Sequence, residues 1–194
     1  MGFRGVKIPA AHLAAATPRI RLDDPHLMRL YEALAEAGDC VLAADLAEGA
    51  TQVAELKTVA TAFPELPIVL GHFGMANRPG WFSQLRLAQL PNVFIESGGL
   101  CWLFRYEEPP FEDAQEAIRI ASLEVGVEKL MWGSDLPRTL LDFTYRQMLD
   151  FVREGCEFFS EEEKAQFLGG NAARVYRLST QPRKKQGLTP ITAW

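Results

Sequence analysis

Along this chain, short and nearly unbroken apolar runs alternate with segments whose apolar residues recur at helical spacing. Runs at residues 2–8 (GFRGVKI), 40–46 (CVLAADL), 67–74 (PIVLGHFG), 92–99 (NVFIESGG) and 129–138 (KLMWGSDLPR) predict five strands. A strand covered on both faces has no polar side to alternate with, so unbroken runs imply a parallel sheet under helices. After the first run a Pro/Ala-rich loop leads to Asp24-Pro25, an N-cap followed by proline in the first helical turn. Leu27, Leu30, Tyr31 and Leu34 then fall at i, i+3, i+4 and i+7, the stripe of a core-facing helix that Gly38 ends. Val53, Leu56, Val59 and Phe63 line the next helix. Further helices are predicted near 82–90, at 112–125 after a Pro-rich loop, and at 145–159. Ser160 to Glu163 form a capping box, and Asn171 is placed to cap a short last helix over AARVYRL.

Composition sets outer bounds on this pattern. At 48% hydrophobic and 23% charged residues, the 194-residue chain can bury a sizeable core, which excludes disorder throughout. Twenty basic against 25 acidic residues give a net charge of −5, which argues against a nucleic-acid partner. No apolar run has the length of a membrane span, and MGFRGVKIPA lacks the apolar core of a signal peptide, so a cytoplasmic protein is expected. Cys40, Cys101 and Cys156 include no CxxC pair and read as reduced core thiols. With neither GxGxxG nor GxxxxGK[ST], a nucleotide-binding sheet is disfavoured. About five βα units at a spacing of about 31 residues fit an incomplete (β/α)8 TIM barrel better. The expected organisation is one α/β domain over residues 1–178 and a flexible basic tail over 179–194.

Candidate chemistry gathers where strands end. His72, between Gly71 and Phe73-Gly74, can reach a ligand or can cap a neighbouring carbonyl. Asp135, in WGSDLPR, can ligate a metal, take a proton from water, or form an Asx turn ahead of Pro137. Lys7 near the end of its strand and Arg138 after Asp135 are candidates for binding a substrate carboxylate. Glu96 either approaches the site or pairs with a buried arginine. Trp81, Trp102 and Trp132 form a lid over a substrate or simply pack. His12 and His26 read as surface residues.

In order, GFRGVKI, IVLGHFG, NVFIESGG, MWGSDLPR and GGNAARVYRL resemble the C-terminal part of the amidohydrolase-2 family, across residues 2–178. That family comprises metal-dependent barrel hydrolases and decarboxylases, including the aminocarboxymuconate-semialdehyde decarboxylase type. The resemblance makes the visible strands the fourth to eighth of a barrel. It matches His72 to an active-site histidine after the sixth strand and Asp135 to the acidic residue after the eighth. A divalent metal, zinc for preference, is implied, with Asp135 receiving a proton from its water and His72 orienting the substrate carbonyl. Two departures bear on this. The His-x-His pair of the family's first strand is missing, and Ala44 or Asp45 stands where a fifth-strand histidine is expected. Asp45 and Asp135 are then the metal candidates, and an ion is weakly held or absent. The expectation is a hydrolase of a small carboxylated, lactone or amide-like substrate, inactive as this chain alone. Decarboxylation stays open, as does a non-catalytic half-barrel that self-associates into a homo-oligomer.

Overall fold

A computed structural model describes residues 3–105 and 111–178. Five parallel strands run in sequential order: β1 (Gly5–Ile8), β2 (Val41–Ala44), β3 (Ile68–Leu70), β4 (Val93–Glu96) and β5 (Leu130–Met131). Each lies beside its successor in sequence, as in the wall of a barrel, and among the described residues the sheet is open at β1 and β5. The helices are α1 (Ala10–Ala15), α2 (Pro25–Ala37), α3 (Val53–Ala62), α4 (Trp81–Leu85), α5 (Leu100–Leu103), α6 (Glu112–Val125), α7 (Tyr145–Arg153), α8 (Glu161–Ala165) and α9 (Asn171–Val175).

Register sorts the two sheet faces. Lys7 pairs with Ala43, Ala43 with Val69 and Val69 with Phe94, while Glu96 pairs with Met131. Ile8, Leu42, Ala44, Ile68, Leu70, Val93, Ile95 and Leu130 join the main core with the covering helices. Val41, Val69, Phe94 and Met131 form a second, smaller cluster against Val175 of α9. With a period of two, the second face continues upward through Lys7, Asp45, Gly71, Glu96 and Gly133. Polar residues therefore stand on the inner face at the carboxyl ends of the strands.

Side-chain caps open three of these helices, two of them, α2 and α8, as the sequence predicts. Asp24 Oδ1 accepts from the His26 N–H at 2.8 Å, Pro25 opens α2, and Gly38 ends it at φ 72°. The Ser160 box opens α8, and a box of Thr144 with Gln147 opens α7. Three expectations need correction. The Pro/Ala-rich loop contains α1, because AAHLAA has strong helix propensity between Pro9 and Pro18. Residues 100–103, expected to belong to the Pro-rich loop, form α5. Asn171 caps nothing: its Nδ2 donates to the Val127 and Leu130 carbonyls, both at 2.8 Å, fastening the start of β5. The Pro-rich loop at 106–110 and the basic tail at 179–194 lie outside the described residues. No helix among the described residues is long and apolar enough to cross a membrane. Cys101 and Cys156 are buried free thiols pushed up to about 12 by burial.

Candidate active site

His72 lies two residues beyond the end of β3, after Gly71, and Asp135 follows β5, so both leave the same rim of a parallel sheet. Both have left-handed backbones, φ 53° and 52°, a conformation that costs a non-glycine residue free energy. The turn His72–Gly74 is held by burial of Phe73 and by Trp81 Nε1 donating to the Phe73 carbonyl at 3.0 Å. Trp102 joins the two residues. Its indole lies edge-on to the His72 ring at 5.5 Å, and its Nε1 donates to Asp135 Oδ2 at 2.8 Å. Gly99, at φ 79°, permits this approach: a Cβ there would lie 2.1 Å from Trp102 Nε1.

The acidic partner of His72 is Asp45. His72 Nδ1 lies 3.1 Å from the Gly98 carbonyl and therefore carries a hydrogen, while Nε2 faces Asp45 Oδ2 at 3.6 Å. A lone pair at Nε2 would face a carboxylate, so the imidazolium is favoured. The Asp45 carboxylate foremost, with the Gly98 carbonyl, accordingly raises the His72 pKa against the opposing effect of burial. Lys7 Nζ meets the same Oδ2 at 2.9 Å. Burial alone would raise the Asp45 carboxyl, yet His72 and Lys7 outweigh it and hold it below the usual range. Burial opposes the charge on Lys7 as well, and Asp45 again prevails, raising the ammonium.

Glu96 comes to this site and not to a buried arginine. Its Oε1 accepts from the His72 N–H at 3.3 Å and its Oε2 from the Gly98 N–H at 2.6 Å. Burial pushes its carboxyl above the usual range, against the pull of the Gly98 N–H. Three glycines make room for the carboxylates. A Cβ on Gly71 would lie 2.1 Å from Asp45 Oδ1 and 3.2 Å from Glu96 Oε1, and one on Gly133 would lie 2.1 Å from Glu96 Oε2. One on Gly98 would approach Glu96 Oε2 to 2.5 Å. Lys7, Asp45, Gly71, Glu96, Trp132 and Tyr176 border a recess of about 230 Å³. A larger groove of about 570 Å³ lies elsewhere, between the start of α6 and α7.

Two sequence candidates stay outside the cluster. Arg138 pairs with Asp142 at 2.8 Å one turn on, both side chains near solvent. Trp132 borders the recess, but its Nε1 donates to the Met148 carbonyl at 3.2 Å and its ring packs edge-on against Tyr145. His12 and His26 are exposed, as read from the sequence. Trp102, expected from the sequence to be a lid or a packing residue, bridges His72 and Asp135.

The donor set fits a metal poorly. Asp45 Oδ2 is engaged by Lys7, and Oδ1 is buried without a hydrogen-bond partner, turned against Gly71. Among the described residues no group of three His, Cys, Asp or Glu side chains is arranged to hold an ion. Zinc sites need three or four such donors.

The amidohydrolase family model matches residues 1–178. This chain belongs to the amidohydrolase family. It is 27% identical to the y4mH protein of Sinorhizobium fredii over 193 residues, covering 91% of the chain and 61% of that protein. L-fucono-1,5-lactonase of Burkholderia multivorans is 32% identical over 104 residues, half of this chain and 35% of the lactonase. A crystal structure of a Burkholderia multivorans amidohydrolase with bound zinc superposes with a TM-score of 0.72 at 25% identity, covering 92% of this chain and 66% of that one. The family member described here is thus a partial (β/α)8 barrel, spanning about three fifths of the curated relative it matches along most of its length.

Proposed function

We propose that the site hydrolyses a small ester-like carbonyl compound, with a sugar lactone as the favoured substrate class. One observation carries the reading: His72 and Asp135, from separate strand ends, share a rim in strained backbones and are joined through Trp102. The likeness to a lactonase over half the chain supports the substrate class. In this reaction the Asp135 carboxylate takes a proton from water as the water oxygen bonds to the carbonyl carbon. At 3.6 Å from Asp45 the His72 Nε2–H is too far for a hydrogen bond, so it is free to donate to the developing oxyanion. Lys7 adds positive charge beside it. The intermediate then collapses: the bond from carbon to the ring oxygen breaks, and that oxygen takes the proton from Asp135. Each of these roles falls to a side chain of this chain, and the described donors form no cage for a metal.

The test is hydrolysis of a six-membered aldonolactone by the 194-residue chain, followed with a pH indicator against buffer alone. Turnover that falls to background in Asp135→Asn supports the reading. Equal rates in wild type and Asp135→Asn overturn it. A second reading, association of two copies, is supported by the open edge of β1, where Phe3 and Val6 are exposed. A concentration-independent monomer in sedimentation would oppose it.

A further inference from the structure

We infer that Lys7 is the resident cation of this site and keeps zinc from binding at Asp45. Side-chain placement alone carries this role for Lys7, whatever reaction the site performs. Lys7 and Asp45 leave the strand ends of β1 and β2 on the inner face, and the register of Lys7 with Ala43 sets Asp45 two residues beyond. The ammonium therefore meets Oδ2 at 2.9 Å, with the His72 Nε2 facing the same oxygen at 3.6 Å. A hard cation at Oδ2 would have to displace Lys7 and crowd the imidazole ring that faces the same oxygen. The other oxygen offers no alternative. Oδ1 is buried, has no hydrogen-bond partner, and lies where a Cβ on Gly71 would touch it.

Asp45 is thus an acidic group built to be neutralised, and Lys7 occupies the position a metal would need. The arrangement differs from an ordinary surface ion pair in two ways. The Asp45 side chain is only 19% exposed, and its second oxygen forgoes any donor, which costs free energy. Removing the ammonium frees one partly buried carboxylate oxygen, still short of the three donors of a zinc site. Lys7→Met should therefore strengthen zinc binding modestly but measurably over the wild-type chain.

Calorimetric titration with zinc chloride reads this without turnover, so failure here is separate from failure of the hydrolase reading. Circular dichroism first confirms that each variant folds, and Lys7→Gln repeats the neutralisation with a polar side chain should Lys7→Met be unstable. Lys7→Met or Lys7→Gln should bind zinc about two- to fivefold more tightly than wild type, the scale expected for a charge on a side chain that solvent screens. Lys7→Arg should stay as weak as wild type, and adding Asp45→Asn to the neutral variant should abolish the gain. The inference is overturned if neutralising Lys7 leaves zinc affinity unchanged. It is equally overturned if wild type binds one zinc tightly and loses it in Asp45→Asn.

Discussion

The two ends of the sheet are built on opposite rules. At the amino end, polar groups are spent on satisfying backbone. Asn92 Nδ2 lies within 3.1 Å of the Ala60, Phe63 and Leu66 carbonyls. Lys129 Nζ reaches the Leu90 and Pro91 carbonyls at 2.8 and 2.9 Å and sits 4.8 Å from the Phe94 ring centroid. At the carboxyl end, polar groups meet one another: carboxylates crowd glycines, an oxygen of Asp45 goes unpaired, and His72 and Asp135 hold left-handed backbones. One end lowers the free energy of the fold, and the other holds strained, crowded arrangements of the kind that cluster at functional sites.

The difference is sharpest in Asp135→Asn. An amide keeps the shape and can still accept from Trp102, but it cannot take a proton. The expected result is a fall in kcat/KM of about 1000-fold, near 4 kcal/mol of barrier, with little change in unfolding midpoint. Lactone turnover and denaturant unfolding on the same samples check both halves. A large loss of stability would make Asp135 a structural residue like those at the other end.

Asn92→Ala probes the amino end and should behave in the reverse way. It removes the donor shared by three buried or part-buried carbonyls that join α3, the loop before β3 and the start of β4. Stability should fall by about 2–3 kcal/mol, because orphaned acceptors lose more than an average hydrogen bond. Turnover measured well below the new midpoint should stay within about twofold of wild type. Loss of activity without loss of stability would erase the contrast.

Gly71→Ala falls between these extremes. The new Cβ would press on Asp45 Oδ1, a side-chain atom that can retreat only by loosening its contact with Lys7. A cost of about 1–2 kcal/mol is expected, while Gly169→Ala, with nothing within 4 Å of its Cβ, should be neutral or slightly stabilising. Equal effects at the two positions would mean that the carboxylates are not confined by glycine at all.

What the sequence discloses follows the same division. Strands were legible because both faces of a parallel sheet are covered, leaving apolar runs that end in polar residues. His72 and Asp135 stood out for that reason, as polar residues where such runs stop. Lys7, Asp45 and Glu96 are candidates by residue type and position, but the partners they meet are not legible. Glu96 is set between Gly71 and Gly133 only by the register of three strands, which no local pattern encodes. Trp102 looks like any apolar residue of LCWLF until Gly99 turns it toward Asp135. Arg138 misled because closeness in sequence to Asp135 suggested a shared site, whereas a turn of 3-10 helix hands it to Asp142. Asn171 misled because its residue type favours caps, while tertiary carbonyls offered it better partners.

The smallest expected effect is in the pH dependence of stability, and it separates the ends once more. His72 is raised above 6.5 in the folded chain, chiefly by Asp45, with help from the Gly98 carbonyl and Asp135 and against burial. Its contribution to stability is complete below 6.5, the unfolded value, and is lost as pH climbs through the higher folded value. Glu96, raised by burial, acts in the same direction but begins to subtract stability from about 4.5 upward, its unfolded value. Urea unfolding across neutral pH should therefore show wild type losing stability as pH rises above 6.5. In His72→Gln the part of that slope due to imidazole should vanish, leaving the slope below 6.5 intact. Identical slopes above 6.5 in the two proteins would mean that Asp45 does not hold the imidazolium, and the rim would lose its charge-to-charge character at the residue on which its chemistry turns.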